Sequence, residues 1–256
     1  MEDIEGKGED HGQRLAGHPG LAVLFPHVQS YLQKGMVAYQ SGEERINASA
    51  AELYAGGVWE RVTELDNALS ALDLTLDFIS NLGSSGTPGP ETYRYHYENF
   101  VLRVIGVVDR AHRLVGASLL MDRRKYEGMG GNRHVEGRVR SDHPKIHAAL
   151  VAVADAVDKY RGPRNELIHS SAFSTRELWL FTSIEQFHID ADGVDIEELR
   201  NRYFLKGSAE IALTIERLVD TLTALLDALA PLFQAAAEYG EEDGQEESTP
   251  EGVDEQ

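Results

Sequence analysis

Apolar residues recur every three or four positions in four stretches of the chain, which is the spacing of one face of an α-helix. In the last of these stretches, Ile211, Ile215, Leu218 and Leu222 follow this spacing closely. Each stretch presents an apolar face wide enough to line a protein interior. We therefore predict an all-α fold, an antiparallel up-and-down four-helix bundle. Its four helices are predicted over residues 59–81, 91–126, 144–160 and 208–237.

The segments around these helices carry weaker signals. Residues 21–39 suggest a short helix or clasp, and residues 48–55 suggest the beginning of the first bundle helix. Residues 174–187 start like a capping box and favour a short helix, although their aromatic and β-branched content leaves a strand open. Residues 83–90 and 128–144 are rich in glycine and lack a period, so both are predicted loops. The arginines of the second loop make it a candidate RNA-contacting arm.

These patterns divide the chain into three parts. Residues 1–47 form an N-terminal extension that we expect to be partly disordered, and residues 48–238 form the helical domain. Residues 239–256 form an acidic tail of Glu, Asp, Gly and Ser. A segment of this composition buries too little apolar surface to fold, so the tail is predicted to be disordered.

The net charge of -19 is distributed unevenly along the chain. Residues 1–10 and 238–256 together supply -13 of it, and residues 11–237 supply only -6. Within that middle part, residues 103–145 hold ten Lys or Arg against five acids. Such a stretch indicates either a basic surface for a polyanion or ordinary solvated helix faces.

The composition also excludes several kinds of site and segment. With no cysteine in the chain, disulfides, thiolate metal sites and a cysteine nucleophile are excluded. The first residues are acidic and polar, unlike a signal peptide, and no run of eighteen apolar residues occurs. We therefore expect a cytoplasmic protein that does not enter a membrane.

One hexapeptide combines residues suited to phosphate chemistry. Arg164, Asn165 and His169 follow Gly162-Pro163 and lie between two periodic apolar stretches. On a helix, positions five apart project about 140° from each other, so both heads can address one phosphate. The loose spacing of an arginine and a histidine also occurs from residue 138 to 143 and from 140 to 147. The asparagine makes the first copy distinctive, although an arginine and a histidine can also merely cap a kinked helix.

The motif Arg164-Asn165-x-x-x-His169, set in a helical bundle after the segment YRYHYENFVLRVIGVVDRAHRLVGASLL, resembles the HEPN superfamily. The resemblance covers roughly residues 58–237. It implies a HEPN-like four-helix fold and a metal-independent endoribonuclease, usually a homodimer whose two motifs face one cleft. The expected role is in toxin-antitoxin systems, phage defence or stress response.

The residue types suit that reaction, in which the ribose 2'-hydroxyl attacks the adjacent phosphorus. A histidine exchanges protons near neutral pH, so His169 can act as the base or the acid. The planar guanidinium of Arg164 can hold the phosphate and stabilise its developing charge. Asn165 would fix the site by a hydrogen bond to His169 or to the backbone across the dimer. The candidate substrate-binding residues are Arg161, Tyr97 and Arg103. Tyr97 would bind by stacking on a base, and the alternative is that its ring only packs on the bundle.

Several expectations about partners complete the prediction. RNA is the expected substrate, with an antitoxin or a nucleotidyltransferase as a possible protein partner and no membrane. No cofactor and no metal is expected. The alternative function is a non-catalytic HEPN-like module that binds RNA or mediates dimerisation.

Overall fold

The computed structural model describes residues 15–82, 89–169, 172–189 and 193–246, with the backbone alone for 240–246. Over these residues the protein is all-helical, which confirms the predicted class. The antiparallel arrangement of four helices remains a prediction. The α-helices are α1 (Phe25–Ser41), α2 (Ala50–Asn81), α3 (Pro90–Val104), α4 (Gly106–Ser118), α5 (Arg123–Glu127), α6 (Gly131–Asp142), α7 (Pro144–Val157), α8 (Arg161–His169), α9 (Arg176–Phe187) and α10 (Ile196–Glu246). Two 3-10 helices, Pro19–Leu24 and Asp158–Tyr160, precede α1 and α8.

The described residues form two compact units. The motif unit contains Leu65–Asp109 and Val151–Thr221, and the α1 unit contains Leu15–Glu64, Arg110–Leu150 and the chain from 222 onward. Helices α2 and α10 each contribute one part to each unit.

Aromatic side chains of α3 hold the motif unit together. Tyr93 stacks on Phe204 of α10 with ring centroids 4.7 Å apart, and Phe100 meets Tyr160 edge-on at 5.2 Å. The Tyr160 hydroxyl donates a hydrogen bond to Glu210 Oε1 at 3.1 Å, so its polar end is satisfied although the side chain is buried. Aromatic pairs of this kind bury large apolar areas in a fixed geometry. They fix the chain that precedes α8.

The α1 unit builds its core partly from the predicted N-terminal extension. Leu15, Leu21 and Leu24 are at most 2% exposed, and Phe25 meets Trp59 edge-on with ring centroids 5.7 Å apart. Residues 15–47 are therefore part of a folded unit, with α1 as the helix expected near residues 21–39. Residues 1–14 lie outside the described part of the chain.

A carboxylate attaches α1 to the first turn of α2. Ser49 and Glu52 form a capping box, in which each side chain accepts a hydrogen bond from the backbone N–H of the other. The Glu52 carboxylate also accepts hydrogen bonds from Ser30 Oγ at 2.5 Å and from Lys34 Nζ at 2.7 Å, both on α1. Burial acts to raise the pKa of Glu52, but these hydrogen bonds outweigh it and lower the pKa to about 2.

Two predictions between residues 91 and 144 were wrong. The single helix expected over 91–126 is interrupted at Ile105, ends at Ser118, and is followed by α5. Gly106, flanked by β-branched residues, has low helix propensity at the interruption. The loop expected over 128–144 contains α6, because Val135 and Val139, one turn apart, are fully buried among glycines and charges that obscured the period.

The boundaries of other elements also differ from the prediction. The helices predicted over 59–81 and 208–237 are confirmed but longer. Helix α2 begins at Ala50, within residues 48–55 where the sequence suggested the beginning, and α10 covers 196–246. The tail predicted to begin at 239 is helical through 246, and residues 247–256 lie outside the described part. The helix expected after residue 174 is confirmed as α9, and Thr175 rather than Ser174 caps it by accepting the Leu178 N–H. Of the predicted loop over 83–90, residues 83–88 are outside the described part and Pro90 begins α3.

Candidate functional site

Helix α8 carries the whole Arg-Asn-x-x-x-His motif. It begins at Arg161, directly after the 3-10 helix whose last residue is the buried Tyr160. Pro163 lies in its first turn, where the missing N–H has no helical partner to lose. No residue of α8 is buried, so the helix lies at the surface of the motif unit. It packs against α3.

The three predicted catalytic residues are accessible. Asn165 and His169 are exposed and Arg164 is half-buried. Arg164 Nη1 donates a hydrogen bond to Asn165 Oδ1 at 3.4 Å, which is a long contact. Asn165 therefore bonds the arginine, whereas the sequence suggested the histidine or the backbone as its partner. The five-residue spacing places Arg164 and His169 about 140° apart around α8.

Arg164 differs from the other cations of this segment. Lys159 forms an ion pair with Glu210 at 3.1 Å, and Arg161 Nε forms one with Asp158 at 3.1 Å. Among the residues that the structure describes, Arg164 has no carboxylate within ion-pair distance. No carboxylate of the described residues neutralises its positive charge, which suits a group that holds an anionic ligand.

The structure does not support Tyr97 as a substrate-binding residue, which corrects the prediction from the sequence. Its side chain is only 8% exposed, and its ring packs on Phe173 with centroids 4.5 Å apart. Burial raises the pKa of Tyr97. A base cannot stack on this ring unless the core of the motif unit opens. The packing alternative is the one the structure supports, and Tyr95, which is 67% exposed, is the accessible aromatic of α3.

The two arginines assigned to substrate binding are both exposed. Arg161 is held by its ion pair with Asp158, and Arg103 Nε donates a hydrogen bond to Asn99 Oδ1 at 2.7 Å. Arg161 lies on α8 with the motif, whereas Arg103 lies near the end of α3. Both bonds are exposed and weak enough to be exchanged for a ligand.

Glu98 is a positioning residue that the sequence did not identify. Its Oε1 accepts a hydrogen bond from the Phe173 backbone N–H at 2.7 Å, which fastens the segment after α8 to α3. That contact spans 75 residues and has no local sequence signal. The exposed Trp179 follows on the first turn of α9, in the same unit.

Comparisons with known proteins do not assign a function to this site. No protein-family model, curated protein or solved structure matches the chain. Within the described ranges, no group of three or more His, Asp or Glu side chains lies together so as to hold a metal ion. In the part of the chain that the structure describes, one segment, Ile196–Tyr239 in α10, is long and apolar enough to cross a membrane, a test that core helices of soluble proteins also meet.

Proposed function

We propose that the chain is a metal-independent endoribonuclease of HEPN type, with a HEPN-like four-helix arrangement and two copies of the motif in a homodimer. The proposed substrate is RNA, and the proposed setting is a toxin-antitoxin, phage-defence or stress-response system. The observation that carries this proposal is the accessible Arg164, which has no described carboxylate partner and shares α8 with the exposed His169.

The proposed chemistry needs a proton removed from the 2'-hydroxyl and a proton given to the 5'-oxygen that leaves. His169 supplies one of these transfers and its counterpart in the second copy, or His169 again, supplies the other. The Arg164 guanidinium binds the phosphate oxygens and stabilises the charge that grows on them in the transition state. The products are a 2',3'-cyclic phosphate and a 5'-hydroxyl.

The test is cleavage of single-stranded RNA by the purified full chain in the presence of EDTA, with the new RNA ends identified chemically. We expect His169→Ala to cut at least about 100-fold more slowly, the contribution typical of a general acid or base. Arg164→Lys should also slow cleavage, because an ammonium group lacks the planar fork. Since Asn165 and His169 are exposed, substitutions there leave the fold intact.

His147→Ala is the matched control, because His147 completes the loose arginine-histidine spacing that starts at residue 140 and lies on α7, outside the candidate RNA-contacting arm. It should cut like the wild type. The proposal fails if the wild type cuts no RNA, if His169→Ala cuts as fast as the wild type, or if the products lack cyclic phosphates.

The second candidate is a non-catalytic HEPN-like module that binds RNA or mediates dimerisation. It draws support from exposed apolar side chains in the motif unit, notably Trp179 at 63% and Phe187 at 69% on α9. RNA binding without cleavage, weakened by Trp179→Ala and untouched by His169→Ala, would favour this candidate over the enzyme.

A further inference from the structure

Helix α6 presents a basic face to solvent, made of Arg133, Gly137 and Arg140, all three of which are exposed. Their spacing of four and then three residues places them within about 60° of one another around the helix. Val135 and Val139 lie on the opposite side and are fully buried. The valines therefore anchor α6 in the α1 unit, while the two arginines extend away from its core.

The arginines of α6 have no acidic partner in the part of the chain that the structure describes. This holds for Arg133, Arg138 and Arg140, whereas Arg123 and Arg202 each form an ion pair with a glutamate four residues away. Acids outnumber lysines and arginines by 43 to 24 in this chain, so a surface cation readily finds a carboxylate. Three arginines without one on a single helix are the electrostatic footprint of a site for a polyanion.

The two acids of α6 do not neutralise the basic face. Glu136 precedes Arg140 by four residues, a spacing at which a glutamate and an arginine commonly pair on a helix. Its Oε1 instead lies 3.2 Å from Nε2 of His112 on α4, a side chain that is 1% exposed. Asp142 projects about 180° away from Arg133 around the helix. The basic face therefore keeps its positive charge although acids are close in sequence.

Gly137 leaves the centre of the basic face without a side chain. Its φ is not positive, and a Cβ added there would meet nothing within 4 Å. Neither the backbone nor the packing therefore requires glycine, which is a poor helix former. A bare helix backbone between two cations allows a ligand to approach closely. Arg133 and Arg140 are about 10 Å apart along the helix axis, roughly the rise of three stacked nucleotides.

We propose that the basic face binds the sugar-phosphate backbone of single-stranded RNA, with Arg133 and Arg140 on phosphates to either side of Gly137. The choice of RNA as the polyanion rests on the proposed function. Contacts to phosphates carry no base sequence, so this face holds RNA without selecting where it is cut. A lipid surface fits less well, because a helix that lies on a membrane presents large apolar side chains there, and the apolar side chains of α6 are buried.

Fluorescence anisotropy of a labelled single-stranded RNA at several salt concentrations tests the proposal, with the full chain carrying His169→Ala so that the RNA is not consumed. Each phosphate contact to a single strand contributes about 0.7 to the slope of the logarithm of the association constant against the logarithm of salt concentration. Replacing both Arg133 and Arg140 by glutamine should lower that slope by about 1.4 and weaken binding at low salt at least about tenfold.

The matched control is the double variant Arg45→Gln with Arg217→Gln. It removes the same charge from two exposed positions, each directly after a glutamate, and should leave the slope unchanged. A second variant, Gly137→Gln, removes no cation and introduces a better helix former. It should raise the melting temperature and yet weaken RNA binding several-fold, because its side chain fills the space that the phosphate backbone needs. A purely structural role for Gly137 would not separate stability from binding in this way.

Several outcomes overturn the proposal: no RNA binding, a slope that the Arg133 and Arg140 substitutions leave unchanged, an equal loss in the control, or tighter binding by Gly137→Gln. If an acidic segment of the chain itself occupied the basic face, the double substitution would leave RNA affinity unchanged or raise it. Cosedimentation with anionic vesicles that depends on the two arginines, while RNA binding does not, would assign the face to lipid instead. RNA that is bound through α6 but not cut by the wild type refutes the ribonuclease and leaves this proposal standing.

Discussion

Replacing Glu52 by glutamine should destabilise the α1 unit in a way that depends on pH. The carboxylate accepts hydrogen bonds from Ser30, Lys34 and the Ser49 backbone. Glutamine keeps the size of the side chain but loses the charge, and it has one accepting oxygen where the carboxylate has two. The variant tests how firmly α1 is attached to α2.

The magnitude follows from the pKa of Glu52, which is lowered from 4.5 to about 2. Because the folded pKa lies below the unfolded one, the stabilisation is fully present above pH 4.5 and is lost as the pH falls towards 2. The shift corresponds to at most about 3 kcal/mol. Lys34 is 45% exposed, so solvent weakens its share, and we expect about 2 kcal/mol near neutral pH.

The assay is urea unfolding followed by circular dichroism at pH 7 and pH 3, with Glu43→Gln, an exposed acid after α1, as the control. The free energy of unfolding should differ between wild type and Glu52→Gln by about 2 kcal/mol at pH 7 and by less than about half of that at pH 3. A difference that is the same at both pH values, or a variant as stable as the wild type at pH 7, would refute this account of Glu52.

Three further predictions concern a left-handed residue, two glycines and a helix cap. Leu120→Gly should raise the free energy of unfolding by about 1 kcal/mol, because Leu120 has φ 51°, a left-handed conformation that glycine adopts freely; an unchanged urea midpoint would contradict this. Gly116→Ala should lower the melting temperature, since its Cβ would lie 2.6 Å from Tyr126 Cγ, whereas Gly137→Ala, with open space around it, should raise it. Thr175→Ala removes a helix cap and should cost about 1 kcal/mol in urea unfolding, while Thr175→Ser should retain most of it.

The spacing of apolar residues along the sequence predicted the helices that present a long buried face. Ile211, Ile215 and Leu218 of α10 are all buried as their spacing indicated. The apolar period did not predict α6, because its buried residues are only Gly131, Val135 and Val139 and its other positions are polar apart from Gly137. The beginning of α2 at Ala50 lies within residues 48–55, where the sequence suggested it, and the capping box of Ser49 and Glu52 marks it.

The candidate site shows the same division between local and long-range information. The sequence predicted that Arg164 and His169 share one helix, because that depends only on neighbouring residues. It could not reveal that Tyr97 is buried, because the ring that covers it, Phe173, is 76 positions away along the chain. Nor could it reveal which carboxylates neutralise Lys159 and Arg161 while Arg164 is left without a described acidic partner.

The chain has two tryptophans. Trp59 lies in the α1 unit and Trp179 lies in the motif unit. Trp59 is half-buried and contacts Phe25 in the α1 unit, whereas Trp179 is 63% exposed in the motif unit. Indole emission depends on solvent exposure, so each unit contains its own optical reporter. Replacing either tryptophan by phenylalanine leaves a protein whose fluorescence follows a single unit, and unfolding curves that do not coincide would reveal two separate transitions.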